Sequence, residues 1–144
     1  MRKLRPGRAR GTLVGGNLSM LISSIGTEYE IDTQNRILFL EDVGETLESI
    51  DNYLMHLKLA KKLDAIKGLL LGKLVSRVDY SGKSYSIPHI IDDVFEERDI
   101  PILYGFPSGH SGNEGLNITL PLGAEITLDA DNKTICVEEP AVSD

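Results

Sequence analysis

Two short segments carry residue types that could do acid–base chemistry. Tyr104-Gly105-Phe106-Pro107-Ser108-Gly109-His110 sets a histidine in a glycine-flanked loop, and Leu38-Phe39-Leu40-Glu41-Asp42 sets a carboxylate at the end of an apolar run. In a serine hydrolase one imidazole nitrogen accepts the nucleophile's proton, while a carboxylate on the other nitrogen fixes the tautomer and stabilises the imidazolium. Glu41 and His110 are therefore the candidate catalytic pair, with Asp42 and then Glu45 as rival carboxylates. The residues alone leave a second reading open, in which His110 is a structural histidine in a polar loop. No Gly-x-Ser-x-Gly elbow or other evident nucleophile setting occurs in the 144 residues, so the pair reads as two thirds of a triad and the chain as part of an enzyme.

The remaining candidates are weaker. His56, between Met55 and Leu57 in a helical pattern, and His89, beside Pro88, read as structural. A metal site built on His110, Asp42 and Glu45 lacks His-x-x-x-His or cysteine-rich spacing, so neither a metal nor another cofactor is expected. Gly15-Gly16-Asn17 opens a helix and could offer amides to an anion, but it has neither the Gly-x-Gly-x-x-Gly nor the Walker pattern. It reads as a tight strand-to-helix turn capped by Asn17, or as a turn that packs on the Glu41 strand end and holds the carboxylate in place. Gly112, Asn113, Glu114 and Gly115 make the stretch after His110 polar, as suits a loop lining a cleft.

These residues need a scaffold, and strand and helix patterns alternate along the chain. Thr12-Leu13-Val14 is a short strand running into the glycines, and Asn17 caps a helix through Leu18, Leu21, Ile22 and Ile25 that Gly26 ends. Ile37 to Leu40 and Ile66 to Leu71 are continuously apolar, as in strands buried on both faces. Between them Leu47, Ile50, Leu54 and Leu57 recur at helical spacing over Thr46 to Lys62. Asp79 to Ser84 reads as an exposed loop, and a further helix runs from Pro88 or His89 to Arg98. Ile102-Leu103-Tyr104 is a third core strand, followed by short strands at Asn117 to Leu120, Glu125 to Leu128 and Thr134 to Glu138. Mixed strand and helix early with strands alone late predicts an α/β domain with a mixed, partly antiparallel sheet. Ligands in such folds sit beyond the carboxyl ends of the parallel strands, where Glu41 and His110 would share a cleft if their strands are parallel neighbours.

Length and composition fit one domain: 144 residues with 41% hydrophobic content can fill a single core. Five of the 15 basic residues, Arg2, Lys3, Arg5, Arg8 and Arg10, precede the first acid, Glu28, so residues 1–10 read as a solvated tail or the end of a linker. From Glu28 onward 10 basic residues face 22 acidic ones, a balance of −12 that repels phosphate backbones; no nucleic acid partner is expected. No apolar run approaches the roughly 20 residues that span a bilayer, so no membrane partner is expected either. The single cysteine, Cys136, excludes an internal disulfide and suits a reducing compartment, hence a cytoplasmic location.

Several of these segments, in order, resemble the C-terminal domain of LD-carboxypeptidases, serine peptidases that include the microcin-immunity type. The likeness rests on Arg5-Pro6-Gly7, Gly11 through Leu18, Gly26-Thr27, Ile37 through Glu45, Ile50-Asp51, Leu54, Leu57-Lys58-Leu59, the Gly68 to Gly72 strand, Gly105-Phe106-Pro107 with Gly109-His110, and Leu120-Pro121-Leu122-Gly123. It covers nearly the whole chain. The resemblance implies a swivelling β/β/α-type fold over 11–144, Glu41 and His110 as triad members, and a nucleophilic serine on a separate N-terminal domain, in the same or another chain. It further implies hydrolysis of the amide bond to a terminal D-residue of a murein-derived peptide, inactive without the serine domain. One departure is Leu47-Glu48-Ser49-Ile50-Asp51-Asn52, which stands where the family often carries Tyr-x-Ile-Asp-Arg. Microcin-type amides and murein peptides are not separated by these residues. The alternative is a stand-alone peptide-binding or interaction module without catalysis, its apolar loops covered by a partner or by homodimer formation.

Overall fold

Ile37-Leu38-Phe39-Leu40 is apolar at every position because both of its faces are buried: Leu38 and Leu40 pack with the helices, while Ile37 and Phe39 pack on the opposite side of the sheet. The computed structural model describes residues 1–76, 85–110 and 116–139. In chain order the elements are β1 (Arg2–Arg5), β2 (Arg8–Asn17), α1 (Leu18–Ser24), β3 (Ile37–Glu45), α2 (Leu47–Leu59), β4 (Gly68–Ser76), α3 (Ile87–Val94), β5 (Ile102–Tyr104), β6 (Glu125–Asp129) and β7 (Thr134–Val137). The strands form one sheet in the order β1-β5-β4-β3-β2-β6-β7. The four central strands are parallel, while β1, β6 and β7 pair antiparallel with their neighbours. The α/β class with a mixed, partly antiparallel sheet is therefore the one observed.

The sheet has to curl. In sheet order β1 and β2 lie four strand spacings apart, about 19 Å if the sheet were flat. Only Pro6 and Gly7 join Arg5 to Arg8, and three Cα–Cα steps reach at most about 11 Å. The contacts show the result. Gly7 donates its N–H to Asp131 Oδ2 at 3.0 Å and accepts from Ala130 N at 2.9 Å, bringing the β1–β2 link against the β6–β7 turn. On the inner face Leu128 of β6 reaches over to β4, where a Cβ on Gly68 would sit 3.1 Å from its methyl. Leu13, Ile37, Phe39, Leu70, Leu103, Ile126 and Leu128 fill this inner side, and all three helices cover the outer one.

Helix ends follow local chemistry. Asn17 caps α1, accepting from Met20 N at 3.1 Å, and Thr46 caps α2, accepting from Ser49 N at 3.1 Å. α2 closes with Lys61 N on Lys58 O and Lys62 N on Leu57 O, both 2.9 Å, with Lys61 at φ +59° in the left-handed position usually given to glycine. The helix therefore stops before Lys62. α3 ends at Val94, short of Arg98, where buried Phe95 turns the chain.

Three expectations need correction. Residues 1–10 are not a tail: Arg2–Arg5 forms edge strand β1 on β5, and Arg8 to Arg10 begin β2 against β6. The basic residues are tied in, as with Lys3 Nζ on Asp131 Oδ1 at 2.9 Å and Arg5 on the Asp92 carbonyl at 3.2 Å. β2 also continues through Gly15 and Gly16 to Asn17 rather than turning at the glycines; a Cβ on Gly15, at φ +135°, would lie 1.9 Å from the Phe39 carbonyl oxygen of β3. Asn117 to Leu120 is not a strand, because its polar groups brace the loop before it: Ile118 N donates to Pro107 O at 2.7 Å. The expected loop Asp79 to Ser84 lies outside the described residues.

Candidate active site

Register places the carboxylate. Asn17, the last residue of β2, is the parallel partner of Glu41, which lies midway along β3 where its pairing with β2 ends. Glu41 is a buried acid, its side chain 5% exposed, and such a group needs donors. One comes from Asn17 Nδ2, 3.3 Å from Oε1. The carboxamide of Asn17 thus works at both ends: its oxygen accepts from Met20 N and Ser19 Oγ at the start of α1, and its nitrogen also donates to Asp42 Oδ1 at 3.2 Å. The reading of Gly15-Gly16-Asn17 as a support for the Glu41 carboxylate is met by Asn17, from a strand rather than a turn.

Asp42 is also buried, but alternation along the strand turns it away. It accepts from Ser19 N at 2.8 Å at the start of α1 and from Val43 N at 2.8 Å. These backbone donors explain a buried aspartate without any reactive role. Glu45 ends β3, four residues beyond Glu41.

His110 arrives from β5, and β4 lies between β5 and β3. The two strands are thus not neighbours, and the loop after β5 has to cross β4 to bring His110 to Glu41. It crosses over Gly72, where a Cβ would stand 2.9 Å from both Glu41 Cβ and Ser108 O. Gly109 makes the final approach at φ +103°; a Cβ there would lie 2.5 Å from Glu41 Oε2. Two glycines without side chains are what allow loop and carboxylate to touch.

The contact is close. His110 Nδ1 lies 3.0 Å from Glu41 Oε1 and 3.2 Å from Oε2, and His110 N–H donates to Oε2 at 3.0 Å. A carboxylate accepts, so Nδ1 is the donor; in the neutral imidazole Nε2 then keeps its lone pair. Glu41 is enclosed while the His110 side chain is 63% exposed, leaving the imidazole accessible to a reacting group. A cleft of about 550 Å³ opens beside it, lined by Glu41, Ser108, His110, Asn117, Ile118 and Thr119. The arrangement can accept a proton at Nε2 and hold the resulting imidazolium against a buried anion.

Matched against known families, residues 10–128 correspond to the LD-carboxypeptidase C-terminal domain. The chain belongs to this family. Among its relatives is a probable murein peptide carboxypeptidase of Bacillus subtilis, 38% identical over 137 residues, an alignment covering 94% of this chain and 42% of that protein. The microcin C7 self-immunity protein MccF of Escherichia coli is 32% identical over 138 residues, covering 95% of this chain and 39% of that one. Among solved structures, a muramoyltetrapeptide carboxypeptidase from Oxalobacter formigenes superposes with a TM-score of 0.80 at 27% identity, covering 97% of this chain and 50% of that chain. The chain thus spans about two fifths of the length of the curated relatives it matches.

The other histidines of this family member lie elsewhere. His56 is exposed near the end of α2, and His89 Nδ1 pairs with Ser86 Oγ at 2.6 Å at the start of α3. Among the described residues no cluster of three or more His, Cys, Asp or Glu side chains is placed to hold a metal ion, and no helix is long and apolar enough to cross a membrane. Gly112 to Gly115 lie outside the described residues. Three contributors escaped sequence reasoning: Gly72, which looks like any glycine in an apolar strand; Gly109 as a contact point; and Asn117, which pairs with Gly109. The one available signal was the glycine immediately before the candidate histidine. Away from the site, burial and the neighbouring Asp51 carboxylate, 2.6 Å from its hydroxyl, hold Tyr85 well above the usual tyrosine range.

Proposed function

We propose that this chain is the His/Glu-bearing half of a serine-type LD-carboxypeptidase that hydrolyses the amide bond to a terminal D-residue of murein-type peptides. The observation that carries the reading is the Glu41–His110 contact, an imidazole held at Nδ1 by a buried carboxylate with its other nitrogen accessible beside a cleft. The murein and muramoyltetrapeptide names of the relatives support the substrate class. The nucleophilic serine is supplied by a further domain, a reading supported by the two-fifths share of its relatives that this chain spans.

In this mechanism Nε2 of His110 takes the proton as the serine oxygen attacks the scissile carbonyl. Glu41 stabilises the imidazolium, which then protonates the leaving amine of the D-residue. A water molecule, activated by the same nitrogen, attacks the acyl-serine and releases the shortened peptide. Ile118 at the cleft, Val43 two residues beyond Glu41 and Met20 in the first turn of α1 are exposed apolar side chains that a docked serine domain would cover. The cytoplasm and peptidoglycan recycling are the proposed setting; exposed, unpaired Cys136 fits a reducing compartment.

The test is release of D-alanine from a murein tetrapeptide by the chain alone and by the chain assembled with its serine-bearing domain. Release only by the assembled protein supports the proposal. Release by the chain alone, or none from the assembled protein, contradicts it.

A further inference from the structure

We propose that Asn117 is a positioning residue for His110, acting by fixing one peptide plane. The inference rests on the catalytic reading of His110 for its kinetic consequence, though not for its geometry. Gly109 sits at φ +103°, in a loop where glycine gives the backbone wide freedom. Asn117 removes that freedom with a single carboxamide: its Oδ1 accepts from Gly109 N and its Nδ2 donates to Gly109 O, each at 3.2 Å. This is the reciprocal pairing that a neighbouring strand residue would provide, supplied by a side chain.

The second of these bonds carries the consequence. The Gly109 carbonyl and the His110 N–H belong to the same peptide unit, which is trans, so the two groups point in opposite directions. The carbonyl is held by Asn117, and the N–H is held by Glu41 Oε2 at 3.0 Å. One plane therefore spans from the Asn117 carboxamide to the Glu41 carboxylate. Its rotation sets where the Cα of His110 lies and hence how the imidazole meets Glu41. The loop keeps its place without the side chain, because Ile118 N still donates to Pro107 O at 2.7 Å. Loss of the carboxamide should thus disturb orientation more than stability. Asn117 also lines the cleft beside His110, close enough to the chemistry for a small rotation to matter.

The test compares wild type, Asn117→Ala and Asn117→Asp. Aspartate keeps the shape but turns the donor facing the Gly109 carbonyl into a second acceptor. The His110 tautomer is read by imidazole ¹⁵N chemical shifts in the chain itself, and kcat and KM for D-residue release are read in the assembled protein. The expected result is a dominant Nδ1–H tautomer in wild type that falls severalfold in both variants, kcat lower by about 10- to 100-fold, and KM nearly unchanged. Wild-type tautomer populations in the variants overturn the proposal, whatever the kinetics. If Asn117→Ala does not fold, Asn117→Asp alone decides. Should His110→Ala leave turnover intact, the catalytic reading falls, while the tautomer measurement still decides the role of Asn117.

Discussion

Gly109→Ala is the substitution whose effect the structure defines most sharply. The new Cβ would be 2.5 Å from Glu41 Oε2, 2.6 Å from Cγ and 2.7 Å from Cδ, on a buried carboxylate with little room to retreat. Reaching an ordinary contact of 3.4 Å requires the loop to withdraw by about 0.9 Å. A shift of that size along the bond takes His110 N–H···Oε2 from 3.0 Å to about 3.9 Å, outside hydrogen-bond range, and carries Nδ1 with it. A displacement of about 1 Å at the reacting group is worth about 10²-fold in rate. Alanine at φ +103° adds a backbone penalty of about 1–2 kcal/mol. Gly105→Ala separates the two effects, since Gly105 also has positive φ, +80°, but a Cβ there meets nothing within 4 Å. Both variants should lower Tm through the backbone penalty, Gly109→Ala the more because the clash also strips donors from the buried Glu41 carboxylate. Only Gly109→Ala should lower kcat/KM for D-residue release by about 10²-fold in the assembled protein. Equal activity in the two variants would refute the claim that Gly109 is required for the Glu41–His110 contact.

Gly72→Ala should act on the same contact without unusual backbone geometry: its Cβ, 2.9 Å from Ser108 O and Glu41 Cβ, pushes loop and carboxylate apart, and kcat should fall about tenfold or more with the far-ultraviolet spectrum unchanged. Glu41→Gln places an amide where Nδ1–H needs an acceptor and should reduce kcat by about 10⁴-fold. Asp42→Asn, which disturbs the α1 start, should cost about 1–3 kcal/mol in denaturant melts yet less than about tenfold in kcat. Asp131 is held below the usual carboxylate range, first by its bond from Lys3 and then by that from Gly7 N–H. A depressed folded value means that this stabilisation is present above the ordinary aspartate range and is lost as pH falls through the lowered one. The acid-induced fall in Tm should therefore be shallower in Asp131→Asn than in wild type, and unequal slopes in the opposite sense would contradict the pairing.

The parallel core was legible because burial on both faces writes itself as unbroken apolar runs. Ile37 to Leu40 and Ile102 to Tyr104 became β3 and β5, and the Asn17 cap was legible because its side-chain oxygen bonds a neighbouring amide. The basic start was misread because β1 is an edge strand whose side chains are largely solvated, so charge spacing resembles a tail; its strand state comes from pairing with β5, a residue separation of about 100 that local pattern does not encode. Asn117 to Leu120 failed in the opposite way. Its alternation suits a strand, yet its carboxamide and backbone are used to brace the His110 loop. At the site, Glu41 and His110 were visible by residue type and loop setting. Their contact was not, because β4 intervenes and the crossing depends on Gly72, a glycine whose meaning appears only once Ser108 and Glu41 are seen on either side of it.

The most direct test of the proposed catalytic role of Glu41 and His110 is turnover of a murein tetrapeptide by the assembled protein carrying His110→Ala, with Tm recorded on the same preparation. The expected result is that kcat falls by about 10⁴-fold or more while the protein stays folded, because the substitution removes the base at Nε2. Wild-type-like D-alanine release from a folded His110→Ala protein would contradict it.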